Sequence, residues 1–425
     1  MGVLLIGSFF ALMILGVPIA LAIGVSATLV LALADMPLEV LPQMLFAGVN
    51  SFALVAVPFF ILAGEILAKG GISDRIVLFA EAVVGRVRGG LAIVSVVASM
   101  FISATSGSGA ATTAAVGTAL LPQLKRKGYD LDFSAALVAS AGTVGVVIPP
   151  SVPMVLYAVV SGISVSRLFM AGFIPGLLMG AVLIVYALYV AKKRNYPMGE
   201  VVGSKETFKR FLNALWGLMA PVFILGGIFS GYFTPSEAAA VAVVYSLFVA
   251  VFIYRALDIK SVYRIVVNAG VTSALVMFII ATSRLFGWQL ALYQIPDQIA
   301  RMLLQMTNGV PFLVYLVIVA LILVLGMFME TASAIIILTP VFLPAITRVG
   351  GDLVHFGLVL VVGLAIGMTT PPVAINIFVA SATTGLRMEE ITRRAIPMVA
   401  ALIIVLLLVT YIPWLSLALP RLIFG

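Results

Sequence analysis

Residues 142–151 read Gly-Thr-Val-Gly-Val-Val-Ile-Pro-Pro-Ser, and residues 363–372 read Gly-Leu-Ala-Ile-Gly-Met-Thr-Thr-Pro-Pro. Both stretches interrupt a long apolar segment with a glycine and then a proline pair. Proline lacks a backbone donor and crowds the preceding turn, so two in succession break a helix and free carbonyls at membrane depth. Free carbonyls in lipid are costly unless they line a cavity or hold a cation. A single such proline reads as a kink. Duplication beside two polar hairpin tips favours a binding site over a pair of kinks.

The two stretches are related by one offset. Adding 222 to a first-half position places Leu121-Pro122 on Leu343-Pro344, Asp130 on Asp352, Gly145 on Gly367, Pro149-Pro150 on Pro371-Pro372 and Pro175 on Pro397. With 21 prolines in 425 residues each proline match has a chance of about 5%, so these matches mark an internal repeat.

The rest of the chain says where that repeat resides. It is 63% hydrophobic and 9% charged, with a mean hydropathy of +1.26, which excludes a soluble enzyme. There is no cysteine and one histidine, His355, so thiol chemistry and metal-dependent catalysis have almost no residues to work with. The net charge of +8 comes from basic residues that punctuate apolar segments, the pattern of topology and not of nucleic-acid binding. An intramembrane enzyme is disfavoured for the same reasons: no span carries paired carboxylates for acid-base work.

Nineteen of the 24 Lys and Arg residues fall in clusters at 69–88, 125–127, 192–210, 255–264 and 387–394, which the positive-inside rule places in the cytoplasm. The walk along the chain then gives crossings near 2–34, 51–68, 131–162, 167–191, 208–231, 235–254, 265–293, 353–384 and 395–420. The predicted N-terminus is inside and the C-terminus outside. Residues 2–34 run past the core of a cleavable signal and read as a retained span.

Two apolar stretches fit as re-entrant hairpins. Residues 90–105 climb only about 24 Å before the polar run Ser106-Gly107-Ser108-Gly109, and a second arm returns to 121. Residues 311–346 repeat the form around Glu330-Thr331-Ala332-Ser333. The run 106–109 lacks the Gly-Lys-Ser/Thr ending of a phosphate loop, so no nucleotide site is expected. Segments 73–88 and 296–306 mix charge with apolar residues and read as amphipathic interfacial helices.

Each half holds four crossings and a hairpin, an even number, and the extra span 208–231 inverts the second half relative to the first. The expected fold is therefore an all-α polytopic membrane protein: a first repeat over 1–191, a linker and connecting span over 192–234, and an inverted second repeat over 235–425. Inverted repeats with broken helices are a plan of secondary transporters, in which half-helix N-termini face anions and unwound carbonyls hold sodium.

On this reading the first sodium site takes Ser103, Ser106, Gly145, Ile148 and Pro150, and the second takes Gly326, Gly367, Thr370 and Pro372. Arg284, in an apolar run with no acidic neighbour, is expected to meet a substrate carboxylate together with Ser106, Ser108 and Ser151, with a partner such as Glu330 or an aqueous crevice without substrate as the structural alternative. Glu237, in Thr234-Pro235-Ser236-Glu237, reads as a capping box, and Glu65 as an ion pair with Lys69. His355 reads as an interfacial helix-end residue, and Glu330 as either a cap or a cation contact. The ladder Gly172, Gly176, Gly180 marks a face for close helix packing.

The wording of ISATSGSGAATTAAVGTALLPQLKRKGY and VGVVIPPSVPMVLYAVVSGISVSRLFMAGFIPG, with TTPPVAINIFVASATTG in the second half, resembles the large membrane subunit (DctM/SiaM type) of tripartite ATP-independent periplasmic (TRAP) transporters. The resemblance covers essentially the whole chain. It implies sodium-coupled uptake of an organic acid delivered by a soluble periplasmic binding protein, a small four-helix membrane subunit as partner in the bacterial inner membrane, and an elevator motion. Sialic acid leads among the implied substrates on overall similarity, with four-carbon dicarboxylates and other sugar acids as alternatives. A stand-alone ion or dicarboxylate transporter of the same superfamily, needing no binding protein, is the competing reading.

Overall fold

The computed structural model describes residues 1–84, 87–198 and 202–425 and is all helical, with no named strand among the described residues. Twenty α-helices follow one another: α1 (Gly2–Ile14), α2 (Ile19–Leu33), α3 (Val40–Val49), α4 (Ala56–Lys69), α5 (Ile72–Val84), α6 (Gly90–Ser106), α7 (Gly109–Arg126), α8 (Leu131–Gly142), α9 (Val152–Ser161), α10 (Val165–Lys193), α11 (Ser204–Phe229), α12 (Pro235–Phe248), α13 (Ile259–Leu292), α14 (Ile295–Met306), α15 (Pro311–Gly326), α16 (Thr331–Arg348), α17 (Leu353–Gly367), α18 (Ile375–Thr384), α19 (Met388–Tyr411) and α20 (Trp414–Phe424). Among the described residues, seven stretches are long and apolar enough to cross a bilayer unbroken, including Val165–Lys193, Ser204–Phe229 and Ile259–Leu292. The chain is a multi-pass membrane protein.

The offset of 222 reappears in the helices. Shifted by it, α7 lands on α16 end to end, and α6, α8, α9 and α10 start within one residue of α15, α17, α18 and α19. Both proline pairs are cis, and each separates a buried helix from a shorter one that follows it. The buried helices, α8 and α17, form the centre of the molecule: every residue from Phe133 to Gly142 and from His355 to Gly367 is buried.

Several crossings break where single spans are expected. Residues 2–34 form two short helices, α1 and α2, packed on each other. Gly16 takes a left-handed φ of +80°, its N–H and that of Val17 return to Met13 and Leu12, and Pro18 has no N–H with which to continue the helix. A folded-back pair changes the crossing count, so the expected side of the N-terminus loses its basis. Residues 40–49 add a helix, α3, that the crossing count omits. The last expected crossing, 395–420, is α19 followed by a separate α20, divided at Ile412-Pro413. The amphipathic segments form α5 and α14, with Gly85 and Arg86 of the first outside the described residues.

The glycine ladder on α10 does what small residues do in membrane interiors. A Cβ at Gly176 would stand 2.5 Å from Ile148 and one at Gly180 would run into Met100, so α10 lies directly behind the first break and α6. On the other flank the long α13 packs against α2, α3 and α4.

Candidate functional site

The first hairpin turns on two residues. Gly107 is left-handed with φ +60°, and Ser108 is extended and caps α7 by accepting the Ala111 N–H. Only a glycine suits that corner, because a Cβ on Gly107 would stand 2.8 Å from the Pro150 carbonyl oxygen. The tip is thus pressed against the unwound segment behind it. There α8 gives way to a 3₁₀ turn at Thr143–Val146, the prolines follow, and Ser151 restarts the chain as α9 by donating to the Val146 carbonyl (2.6 Å) and accepting the Met154 N–H.

This apposition gathers oxygens around Gly145. Where its Cβ would be, Thr112 Oγ1 lies at 2.9 Å, the Ser108 carbonyl oxygen at 3.0 Å and Ser103 Oγ at 3.2 Å. Ser106 Oγ is 2.9 Å from Thr112 Oγ1. Of the expected first sodium ligands, Ser103, Ser106 and Gly145 are brought together. Pro150 presents its carbonyl to Gly107, and the Ile148 side chain turns onto Gly176, leaving only its backbone for a ligand role. Thr112 and the Ser108 carbonyl were missed from sequence. Thr112 follows Ser108 by four residues, one helical turn beyond the cap, and that spacing is the signal for it.

The second cluster is built from backbone. Gly326 and Gly367 touch, a Cβ on Gly367 colliding with the Gly326 carbonyl, and Val373 N–H donates to the Met327 carbonyl (3.2 Å) just after Pro372. Thr370 donates its hydroxyl to the Ile366 carbonyl (3.0 Å). The four expected residues therefore share one corner where the second hairpin meets the second break. No group of three or more His, Cys, Asp or Glu side chains that could hold a metal is found among the described residues, and the donors gathered at these two corners are hydroxyls and carbonyls. Such oxygen donors suit hard cations.

Both tips open onto one cavity of about 180 Å³. Ser106, Ser108 and Gly109 come from the first tip and Glu330, Thr331 and Ala332 from the second. Gly64 and Glu65 of α4 and Thr272 and Val276 of α13 form the facing wall. Ser108 and Glu330 occupy the same repeat position, each the N-cap of its hairpin's return arm. Glu330 Oε2 accepts the N–H groups of Ala332 (2.9 Å) and Ser333 (3.1 Å). Of its two readings, the cap is the one with contacts. Glu65 pairs with Lys69 at 2.6 Å, and Glu237 completes the capping box with Thr234.

The expected substrate residues divide. Ser106 and Ser108 line the tip cavity, and Ser151 is fully buried behind it as a helix cap. Arg284 is not among them. It lines a second cavity with Ser283, Trp288, Ile336 and Pro340, twelve residues or about 18 Å along α13 from Thr272. Sequence spacing could not reveal this, since it depends on which turns of α13 face each gap. Glu330 is no partner of Arg284 either, being placed in the tip cavity. His355 is also placed differently: its backbone sits in the first turn of α17, but its ring is buried, with Nδ1 2.7 Å from Ser416 Oγ and Nε2 3.1 Å from the Thr410 carbonyl.

Residues 6–415 match the model of the tripartite ATP-independent periplasmic transporter DctM component. The chain belongs to that family. This DctM-family chain is 44% identical over 377 residues to the C4-dicarboxylate TRAP transporter large permease protein DctM of Pseudomonas aeruginosa, covering 89% of this chain and 88% of that one. It is 41% identical over 414 residues to the isethionate TRAP transporter permease protein DctMQ of Oleidesulfovibrio alaskensis, covering 96% of this chain but only 65% of that longer protein. The sialic acid TRAP transporter large permease protein SiaM of Vibrio cholerae is 36% identical, with 99% of both chains covered. In fold it resembles the YdaH transporter of Alcanivorax borkumensis, with a TM-score of 0.66 over 90% of each chain at 14% identity. The relatives are permease subunits and not enzymes, and this chain is a TRAP-type large permease.

Proposed function

We propose that this permease couples the inward sodium gradient to uptake of a small organic acid. Both hairpin tips and both broken helices would move as one unit against a wall containing α4 and α13. The single observation that carries the reading is the shared cavity: tips of opposite repeats meet there, backed by an oxygen cluster around Gly145 and a carbonyl corner at Gly326 and Gly367. Two sodium ions held at those corners would tie each tip to its break.

The halves differ in a way that orients an anion. The N-terminus of α16 already holds the Glu330 carboxylate, whereas α7 is capped only by the neutral Ser108. A substrate carboxylate is favoured at the first tip, and Glu330 at the second can accept hydrogen bonds from a substrate donor. The relatives named for C4-dicarboxylate and for sialic acid are 44% and 36% identical to this chain, which supports a small carboxylate such as a C4-dicarboxylate over sialic acid. The partners would be a small membrane subunit and a periplasmic binding protein in the bacterial inner membrane, with the basic clusters facing the cytoplasm.

Proteoliposomes holding this chain, the small subunit and the binding protein test the reading with labelled succinate, isethionate and sialic acid. Succinate accumulation that needs all three proteins and an inward sodium gradient is expected. Accumulation of sialic acid alone would overturn the substrate class, uptake without the binding protein would favour the stand-alone transporter, and uptake unaffected by replacing sodium with potassium would overturn the coupling.

A further inference from the structure

The Arg284 cavity has the makings of a site in its own right. Arg284 is exposed to a space of about 520 Å³, and among the described residues no acidic one lines it. None of the ion pairs among the described residues involves Arg284. Beside it Ser283, 6% exposed, has a hydroxyl with no hydrogen-bond partner among the described residues. A guanidinium and an unpartnered hydroxyl on adjacent residues of one wall are donors awaiting an acceptor. The close passage of α3 fixes their position, because a Cβ on Gly48 would stand 2.9 Å from Arg284 Cβ and 3.1 Å from Ala281 Cα.

The place of this cavity matters as much as its chemistry. It lies along the same seam as the tip cavity, with α13 on one side and the hairpin arm α16 on the other. From Thr272 to Arg284 the wall rises twelve residues, about 18 Å, and from Thr331 to Pro340 the arm rises nine, about 14 Å. A slide of that length along the seam carries the tips from one cavity to the other. Arg264 and Arg284 are twenty residues apart on α13, about 30 Å, so with Arg264 at the cytoplasmic interface Arg284 stands near the outer one.

We infer that Arg284 and Ser283 form a second carboxylate-binding station, separate from the tip cavity, that meets the incoming acid at the outer end of the stroke. The stroke rests on the proposed function, but occupancy of the station does not. Trp288, one turn from Arg284, lines the cavity and reports on it. The chain has three tryptophans, so the Trp216→Phe, Trp414→Phe variant leaves Trp288 alone. The purified full chain in nanodiscs is titrated with succinate, isethionate and N-acetylneuraminate against chloride at matched ionic strength.

A saturable change in Trp288 emission with at least one acid and not with chloride is expected. Arg284→Gln should raise the half-saturation at least tenfold, Ser283→Ala severalfold, and Gly226→Ala, which lines neither cavity, not at all. Should Arg284→Gln fail to fold, Ser283→Ala carries the test. Half-saturation unchanged in both variants, an equal rise in Gly226→Ala, or no response to an acid that the same protein transports would overturn the station. Failure of sodium-driven uptake with an intact Trp288 titration would instead count against the coupling.

Discussion

Replacing Gly145 by alanine places one methyl group among the oxygens of the first cation corner. It would stand 2.9 Å from Thr112 Oγ1, 3.0 Å from the Ser108 carbonyl and 3.2 Å from Ser103 Oγ, inside the usual carbon contact distance of about 3.5 Å. Thr112 and Ser103 are fully buried, so relief requires the hairpin tip to back away by a few tenths of an ångström and withdraw at least one ligand. A charge–dipole contact of this kind is worth about 1.5–3 kcal/mol, by analogy with hydrogen bonds to charged groups. At about 1.4 kcal/mol per tenfold change, sodium affinity should fall about tenfold to a hundredfold. The assay is the thermal unfolding midpoint of the purified chain against sodium, with potassium holding the ionic strength, because an ion that binds only the folded state raises that midpoint. Gly226→Ala is the control, since nothing among the described residues lies within 4 Å of its Cβ position. The wild type and Gly226→Ala should respond alike, and Gly145→Ala should need ten to a hundred times more sodium. Superposition of all three curves would refute the reasoning.

Gly367→Ala should be harsher than Gly145→Ala, because its methyl meets the Gly326 backbone carbonyl, which cannot rotate away; a stability loss of about 3 kcal/mol with the sodium response reduced is expected in the same melts. Glu330→Ala should cost about 1 kcal/mol through the lost cap of α16, and Glu330→Gln, which keeps an acceptor oxygen for Ala332 and Ser333, should recover most of it in melts at neutral pH.

Much of the site was legible because its chemistry is local. Paired prolines break helices wherever they occur, and a polar Ser-Gly-Ser-Gly run can only be a turn between two apolar arms too short to cross, so the tips and breaks followed from residue type and spacing alone. The repeat then transferred each reading from one half to the other, and the helix boundaries keep the same offset. Gly16 and Pro18 were harder, since membrane helices tolerate both residues when neighbours satisfy the backbone, and nothing local distinguishes tolerance from a fold-back. Arg284 shows the other limit. Its residue type marks it as costly in a membrane, but whether it faces the tips or a separate cavity depends on how α3, α13 and α16 come together, which no pattern along one helix encodes. Ser151 misled for a related reason, because the same hydroxyl that can bind an anion was needed to restart α9.

Opposed orientation of the two repeats underlies every step of the mechanism, and sidedness of labelling tests it most directly. Lys125 and Thr347 occupy the same repeat position near the ends of α7 and α16, both are exposed, and the chain has no native cysteine to interfere. With a membrane-impermeant maleimide on intact cells and on inverted vesicles, Lys125→Cys should label only from the cytoplasmic face and Thr347→Cys only from the periplasmic face. Labelling of both from the same face would mean that the repeats run parallel, and would contradict the account.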